Sequence, residues 1–254
     1  AARICGVPVS SHESDLDPGL ATRINARSSR LILTAYPETS QLLERFGQET
    51  RSLGNPVRRI IREGDSTKAA EHLTVDLDRP LLLVVGGSLG AAQLNEIVAD
   101  QLETLTTHFS VVHQRGDHLP AAPDSSRYMS RPFFGAEYGD ILARANLLLC
   151  RGGAGTLWEA AVTGTPAVVI PLSPRQSRGD QVRNAAYFQA RGGVLSVQDD
   201  PPEAADVARL LVEFLEDRQR YEEARKALMD LCSIDAASAI ADEIEVVVQE
   251  RMAR

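Results

Sequence analysis

The stretch LLLVVGGSLGAAQLNE, residues 81–96, decides how this chain folds. Leu81 to Val85 run without a polar break, the pattern of a strand covered on both faces. Gly86-Gly87-Ser88-Leu89-Gly90 turns the chain, and a helical pattern follows from about Gln93. A glycine turn between a strand and a helix exposes backbone N–H groups and the positive end of the helix dipole, a place where α/β proteins hold phosphate. The arrangement returns at Leu147 to Cys150, followed by Arg151-Gly152-Gly153-Ala154-Gly155 and another helical pattern. Two such loops in one sheet predict a nucleotide held across a crevice at the carboxyl ends of the strands.

Working outward, strands are expected at Ser110–His113, Tyr128–Arg131, Ala167–Pro171 and Val194–Val197. Helices are expected near Gln93–Thr106, Ala136–Ala145, Leu157–Thr163 and Asp180–Arg191, and from Pro202 to the end. This alternation implies an α/β fold with a parallel, doubly wound sheet. Upstream, Ile4–Val9 and Leu31–Ala35 read as strands, Glu38–Phe46 as a helix and His12 to Asp15 as a polar loop. Asn55-Pro56 marks a break, and Ile60 to Arg79 reads as a linker with a short helix.

At 24% charged and 43% hydrophobic, the 254 residues have the composition of an ordinary globular protein. The net charge is -8 and no basic stripe is present, which ranks nucleic acid low as a partner. No apolar stretch is long enough to span a bilayer. Cys5, Cys150 and Cys232 form no metal motif and suit a reducing compartment. The chain opens on Ala1-Ala2-Arg3 and its first methionine is Met129, so it is expected to be a piece of something longer.

Each motif carries a chemical and a plain structural reading. Gly86 to Gly90 is a diphosphate cradle, with Ser88 as a hydroxyl donor, or a tight turn that needs glycine for its dihedrals. It matches neither G-x-x-x-x-G-K-[ST] nor G-x-G-x-x-G, so P-loop phosphoryl transfer and hydride transfer lose ground. Gly152, Gly153 and Gly155 would let a ligand approach the backbone, and Thr156 would cap the next helix. Glu159, about a turn further on, suits a ribose diol or simply the helix dipole. Asp180, Gln181 and Asn184 follow a polar loop and could meet sugar hydroxyls, or cap and solvate it. His12 beside Glu13 and Asp15 reads as a base, a metal site or a polar loop, whereas His113 and His118 read as structural. Trp158, Phe133 and Phe134 read as packing.

Taken in order, HESDLDPGLATRI (12–24), LGNPVR (53–58), GGSLGAAQLNE (86–96), HQRG (113–116), CRGGAGTLWEA (150–160) and SRGDQVRNA (177–185) resemble the MurG-type UDP-N-acetylglucosamine transferases of peptidoglycan synthesis. These are GT-B glycosyltransferases of family 28, built from two Rossmann-like domains. The resemblance implies four regions. Residues 1–60 are a remnant of the N-terminal acceptor domain, and 61–79 a linker. A complete donor domain spans 80–234, and 235–254 form a helix returning toward the first domain. It further implies that Ser88 and the adjacent glycine amides of Gly87 and Gly90 hold the diphosphate, with Gly153, Gly155 and Thr156 also among the donor-binding residues. Glu159 would take the ribose hydroxyls, and the backbone from Phe134 through Gly135 and Ala136 would meet the uracil edge. Arg58 would lie near the nucleotide, with Asp180, Gln181 and Asp15 at the sugar. The chain has carboxylates at Asp15 and Asp180 where other members carry Asn and Gln.

The donor would be UDP-N-acetylglucosamine, with no metal and no cofactor. The acceptor would be a lipid-linked muramoyl-peptide (lipid I). The enzyme would be cytoplasmic and peripheral on the inner face of the membrane. The family's G-G-T-G-G-H-type loop and its proposed catalytic His fall before this chain, so the catalytic base stays unassigned. The acceptor half is then upstream or on a second polypeptide. Other GT-B transferases, a non-catalytic UDP-sugar binder and a UDP-N-acetylglucosamine epimerase are the competing readings.

Overall fold

The computed structural model describes residues 5–45, 49–87, 91–117, 123–232 and 234–252. The chain divides into two units, Ala1–Val57 with Cys232–Arg254, and Arg58–Leu231.

In the smaller unit, β1 (Ser10–Glu13), β2 (Leu31–Thr34) and β3 (Thr50–Ser52) form a parallel sheet in that order, joined by α1 (Leu20–Ala26) and α2 (Pro37–Glu44). The period-2 alternation of β2 puts its residues into two clusters. Ile32 packs with Ala26 and Leu43, and Leu31 and Leu33 pack with Val247 of the C-terminal helix, Ala236–Met252. Arg51 adds an ion pair of 2.7 Å to Glu243, and Arg30 pairs with Glu250. The strand expected at Ile4–Val9 forms instead at Ser10–Glu13. Gly6 has φ +66 and Pro8 has no N–H to give a ladder, so pairing starts after both. His12 and Glu13 are therefore strand residues, and the loop begins at Ser14.

The larger unit begins with α3 (Arg59–Arg62) and a 3₁₀ turn at Lys68–Glu71. Residues 61–79, expected as a linker, belong to this unit. Ile61, Ala69, Leu73 and Val75 are buried, and Asp65 N–H donates to Asp140 across 2.7 Å. The elements then run β4 (Leu81–Val85), α4 (Ala92–Asp100), α5 (Leu102–His108), β5 (Ser110–Gln114) and β6 (Tyr128–Arg131). They continue as α6 (Tyr138–Arg144), β7 (Leu147–Cys150), α7 (Ala154–Thr163), β8 (Ala167–Val169), α8 (Asp180–Ala190), β9 (Val194–Ser196), α9 (Ala204–Glu216) and α10 (Arg218–Leu231). All six strands are parallel, in the order β6-β5-β4-β7-β8-β9. This is the doubly wound α/β sheet expected.

Leu82, Val84, Leu147, Leu149 and Val168 on one face pack against Leu94, Ile97, Leu105, Leu211 and Phe214 of the covering helices. Each side chain so buried stabilises the fold by roughly 1.5–3 kcal/mol. One expected helix, Gln93–Thr106, is two, separated at Gln101 (φ -111, ψ 16). No glycine or proline marks that joint, so the apolar pattern runs through it unbroken.

Candidate functional site

The strand order reverses direction between β4 and β7, the two strands that carry the glycine loops. Crossovers leave that point to opposite sides of the sheet, so the loops splay and leave a crevice at the carboxyl ends. A cleft of about 750 Å³ lies there, lined by Gly86, Gly87, Arg151, Gly153, Thr156 and Gln181 among others. Gly87 has φ +88, which only glycine adopts without strain, and its carbonyl accepts from Gln114 Nε2 at 3.1 Å. Ser88 and Gly90 lie outside the described residues.

The three glycines after β7 separate into two kinds. A Cβ on Gly152 would come within 2.4 Å of the Gln181 carbonyl oxygen, so this glycine is required by the first turn of α8 rather than by a ligand. Asn184, fully buried, donates to the Gly152 carbonyl at 3.3 Å and fastens the same contact. Among the described residues nothing lies within 4 Å of the Cβ position of Gly153 or Gly155. Helix α7 starts at Ala154 with Gly153 as N-cap, earlier than expected. Thr156 is therefore inside the helix and caps nothing. Among the described residues no side chain caps this helix, so its first-turn amides are not met by one of them. Glu159 follows Gly155 by four residues and shares its face of α7.

Glu159 is held by an ion pair. Arg58, at the start of α3, donates Nη2 to its Oε1 at 3.0 Å. Burial pushes the Glu159 pKa up, and the Arg58 guanidinium pulls it back only partly. The Arg58 guanidinium lies 5.6 Å from the centroid of the Tyr138 ring. Arg58 is half-exposed, so solvent screens its pairing with Glu159.

On the other flank, the Asp180 carboxylate opens α8. Its Oδ2 lies 3.7 Å from Arg178, and its buried Oδ1 has no partner among the described residues. Gln181 accepts from Leu172 N–H at 3.0 Å, which leaves its amide donors toward the cleft. Phe134 is a core side chain, 2% exposed, and its N–H is already given to Gln114 Oε1 at 3.0 Å. Only its carbonyl and the exposed backbone at Gly135 and Ala136 remain free of that bond. Asp15 belongs to the smaller unit, where its N–H donates to Glu13 at 3.1 Å. Glu13 also accepts from Gly19 N–H at 2.8 Å, and His12 Nε2 lies 3.1 Å from the Gly54 carbonyl, so both serve the local fold.

Two residues at the strand ends beside the cleft escaped the sequence reading. Arg151 Nη1 donates to Gln93 at 2.6 Å and to the Ile170 carbonyl at 3.0 Å. Its buried Nε has no partner among the described residues, and it supplies the cleft with a fixed positive charge opposite Asp200. Gln114 bridges the β4 and β6 loops, and only its place at a strand end beside His113 could have flagged it. His113 is structural, as expected. It sits between Asn95 (2.8 Å) and Tyr128 (3.1 Å), and burial lowers its pKa to about 4. His118 lies outside the described residues. Burial pushes the Cys150 thiol up to about 12, which makes it an inert core residue. Among the described residues no group of three His, Cys, Asp or Glu is placed to hold a metal ion.

Residues 81–244 match the model of the glycosyltransferase family 28 C-terminal domain. The chain belongs to glycosyltransferase family 28. Family relatives include the UDP-N-acetylglucosamine–N-acetylmuramyl-(pentapeptide) pyrophosphoryl-undecaprenol N-acetylglucosamine transferase of Treponema pallidum. It is 39% identical over 99% of this chain and 69% of its own length. The Shouchella clausii enzyme of the same name is 34% identical over 98% of this chain and 70% of its own length. Among solved structures, Acinetobacter baumannii MurG superposes with a TM-score of 0.68 at 26% identity, covering 96% of this chain and 68% of that one. The calicheamicin glycosyltransferase CalG4 shares the fold, with a TM-score of 0.64 at 20% identity over 87% and 54%. The fold is thus that of the GT-B glycosyltransferases. Among the described residues no helix is long and apolar enough to cross a membrane.

Proposed function

We propose that this chain is the donor-binding part of an inverting transferase. It would move N-acetylglucosamine from UDP-N-acetylglucosamine to a lipid-linked muramoyl-peptide in peptidoglycan synthesis. The observation that carries the reading is the cleft where the strand order reverses, flanked by the open first turn of α7 and the Glu159 carboxylate beyond it.

Glu159 accepts from the two ribose hydroxyls. The backbone at Phe134, Gly135 and Ala136 meets the uracil edge, and Arg58 closes over the nucleotide. The diphosphate lies against Gly87, Ser88 and Gly90 on one side and Gly153, Gly155 and Thr156 on the other, with Arg151 as its cation. Asp180 and Gln181 accept from and donate to the sugar hydroxyls.

In the reaction an acceptor hydroxyl attacks the anomeric carbon while the bond to the diphosphate oxygen breaks, and configuration inverts. The hydroxyl proton passes to a base outside these residues. Negative charge grows on the leaving diphosphate. Backbone donors and a cation already aimed at it stabilise that charge without a metal ion. The reading includes peripheral attachment to the inner face of the cytoplasmic membrane. The acceptor half lies in the third of the relatives' length that this chain does not span, or on a partner chain.

Calorimetric titration with UDP-N-acetylglucosamine, UDP and ADP, repeated on Glu159→Ala, tests the donor site. Uridine-selective binding lost in the variant is expected. Equal binding of ADP, or binding indifferent to Glu159, overturns the reading. Given lipid-linked acceptor, this chain alone is expected to release no product.

A further inference from the structure

The guanidinium of Arg151 is tethered through one of its nitrogens and open at the others. Arg151 opens the glycine loop after β7, and Gln93 stands in the first turn of α4, the helix that follows the glycine loop after β4. Both line the cleft, and both are half-buried. Arg151 Nη1 gives its hydrogens to protein, to Gln93 Oε1 at 2.6 Å and to the Ile170 carbonyl, just past β8, at 3.0 Å. Two acceptors from separate elements fix the plane of the group. Its buried Nε and its Nη2 have no acceptor among the described residues. A buried donor left in that state is costly unless something else supplies the acceptor. The donors of a guanidinium are arranged as a fork, and a fork suits two oxygens of one phosphate. The kind of tether matters as well. Amide and peptide oxygens are neutral, so they orient the guanidinium and leave its charge for a ligand. A carboxylate in the place of Gln93 would cancel that charge, and Asp200 offers a rival carboxylate in the same cleft.

We propose that Gln93 is a positioning residue for the diphosphate: its amide oxygen holds the Arg151 guanidinium in the cleft with the remaining donors free for the phosphoryl oxygens. This rests on the donor-site reading above. The same bond ties the helix behind one glycine loop to the head of the other, so the two sides of the crevice share one cation. Without Gln93 the arginine keeps its charge and one backbone acceptor, and loses the second point that fixes its plane. The side chain then has rotamer freedom to lose again when a ligand binds.

The test is calorimetric titration of the chain with UDP, and with uridine by displacement of UDP, on wild type, Gln93→Met, Arg151→Lys and the double variant. Methionine keeps the length and helix propensity of glutamine and removes the acceptor. Gln93→Met is expected to weaken UDP roughly fivefold and to leave uridine within about twofold. Arg151→Lys, a point charge without the fork, should weaken UDP at least as much, and adding Gln93→Met to it should then cost nothing more. An unchanged UDP-to-uridine ratio in Gln93→Met, whatever its melting temperature, makes the bond a structural one and overturns the assignment. Additive losses in the double variant overturn it too, because Gln93 then acts without Arg151. A ratio untouched by Arg151→Lys removes the oriented fork from diphosphate binding and Gln93 with it, while UDP binding that depends on Glu159 keeps the donor site. No binding of UDP to wild type overturns the donor-site reading and this proposal together. Should Gln93→Met fail to fold, Gln93→Asn, which draws the acceptor back by one methylene, is read in the same way.

Discussion

Two regions of the larger unit use the same residue type for opposite ends. Where α3 meets α6, Gly64 and Gly139 are filled by protein, with Cβ positions 2.3 and 1.8 Å from carbonyl oxygens. At the mouth of the cleft, Gly153 and Gly155 have none of the described residues against their Cβ positions. In the first region glycine is a packing requirement, and its removal costs stability. In the second it keeps a surface bare, and its removal costs binding. His113 and Glu159 divide in the same way. One has its ring nitrogens committed inside the fold, and the other has acceptor capacity to spare.

The largest effect expected of this contrast is on Gly139→Ala. The added methyl has a backbone carbonyl in its way, so the variant should lose ~3 kcal/mol or more, read as a fall in the melting temperature of several degrees. A melt within a degree of wild type would erase the distinction. Next comes acid. His113 is held neutral, with its pKa lowered from 6.5 to about 4, so the unfolded chain binds the proton more readily. Stability is therefore full above pH 6.5 and falls as the pH drops toward 4, by up to ~3 kcal/mol from this group. Denaturant melts across that range check it, and an NMR titration should find His113 uncharged at pH 6.

On the open side, Glu159→Gln should weaken UDP by ~2–3 kcal/mol while leaving the melt within ~1 kcal/mol of wild type, since its partner Arg58 is half-exposed. The smallest effect sharpens the comparison most. Gly155→Ala, in a helix with room for the methyl, should gain ~0.5–1 kcal/mol of stability and still bind nucleotide more weakly. Loss of stability there would place Gly155 with the packing glycines.

The sequence made the larger sheet plain because its strands are covered on both faces. Leu81–Val85 and Leu147–Cys150 read as strands without reference to anything distant, and their glycine loops set the place of the cleft. Short polar strands were not legible. Thr50–Ser52 has no apolar alternation and pairs with a single neighbour, and the β1 pairing moved past Gly6 and Pro8. The segment 61–79 looked like a linker because its buried residues, Ile61, Ala69, Leu73 and Val75, follow no single period. Within the site, Glu159 was legible from its distance along α7 from the glycines. Gly152 could not be told from Gly153, because a packing glycine and an open one differ only in what lies across from them. Arg151 and Gln114 were missed because their roles depend on partners far away in the chain, Gln93 for one and Gly87 and Phe134 for the other.

Gln114 ties the carbonyl of Gly87 to the amide of Phe134 through the two ends of one side-chain amide. The backbone at Gly87, after β4, and at Phe134, after β6, is therefore coupled through one side chain. A fluctuation that widens one against the other must break both bonds in a pocket where the side chain is 4% exposed and water is slow to replace them. The span between the two loops thus behaves as a fixed length, set before any ligand arrives. A ligand that bridges them is selected for its reach as well as for its chemistry.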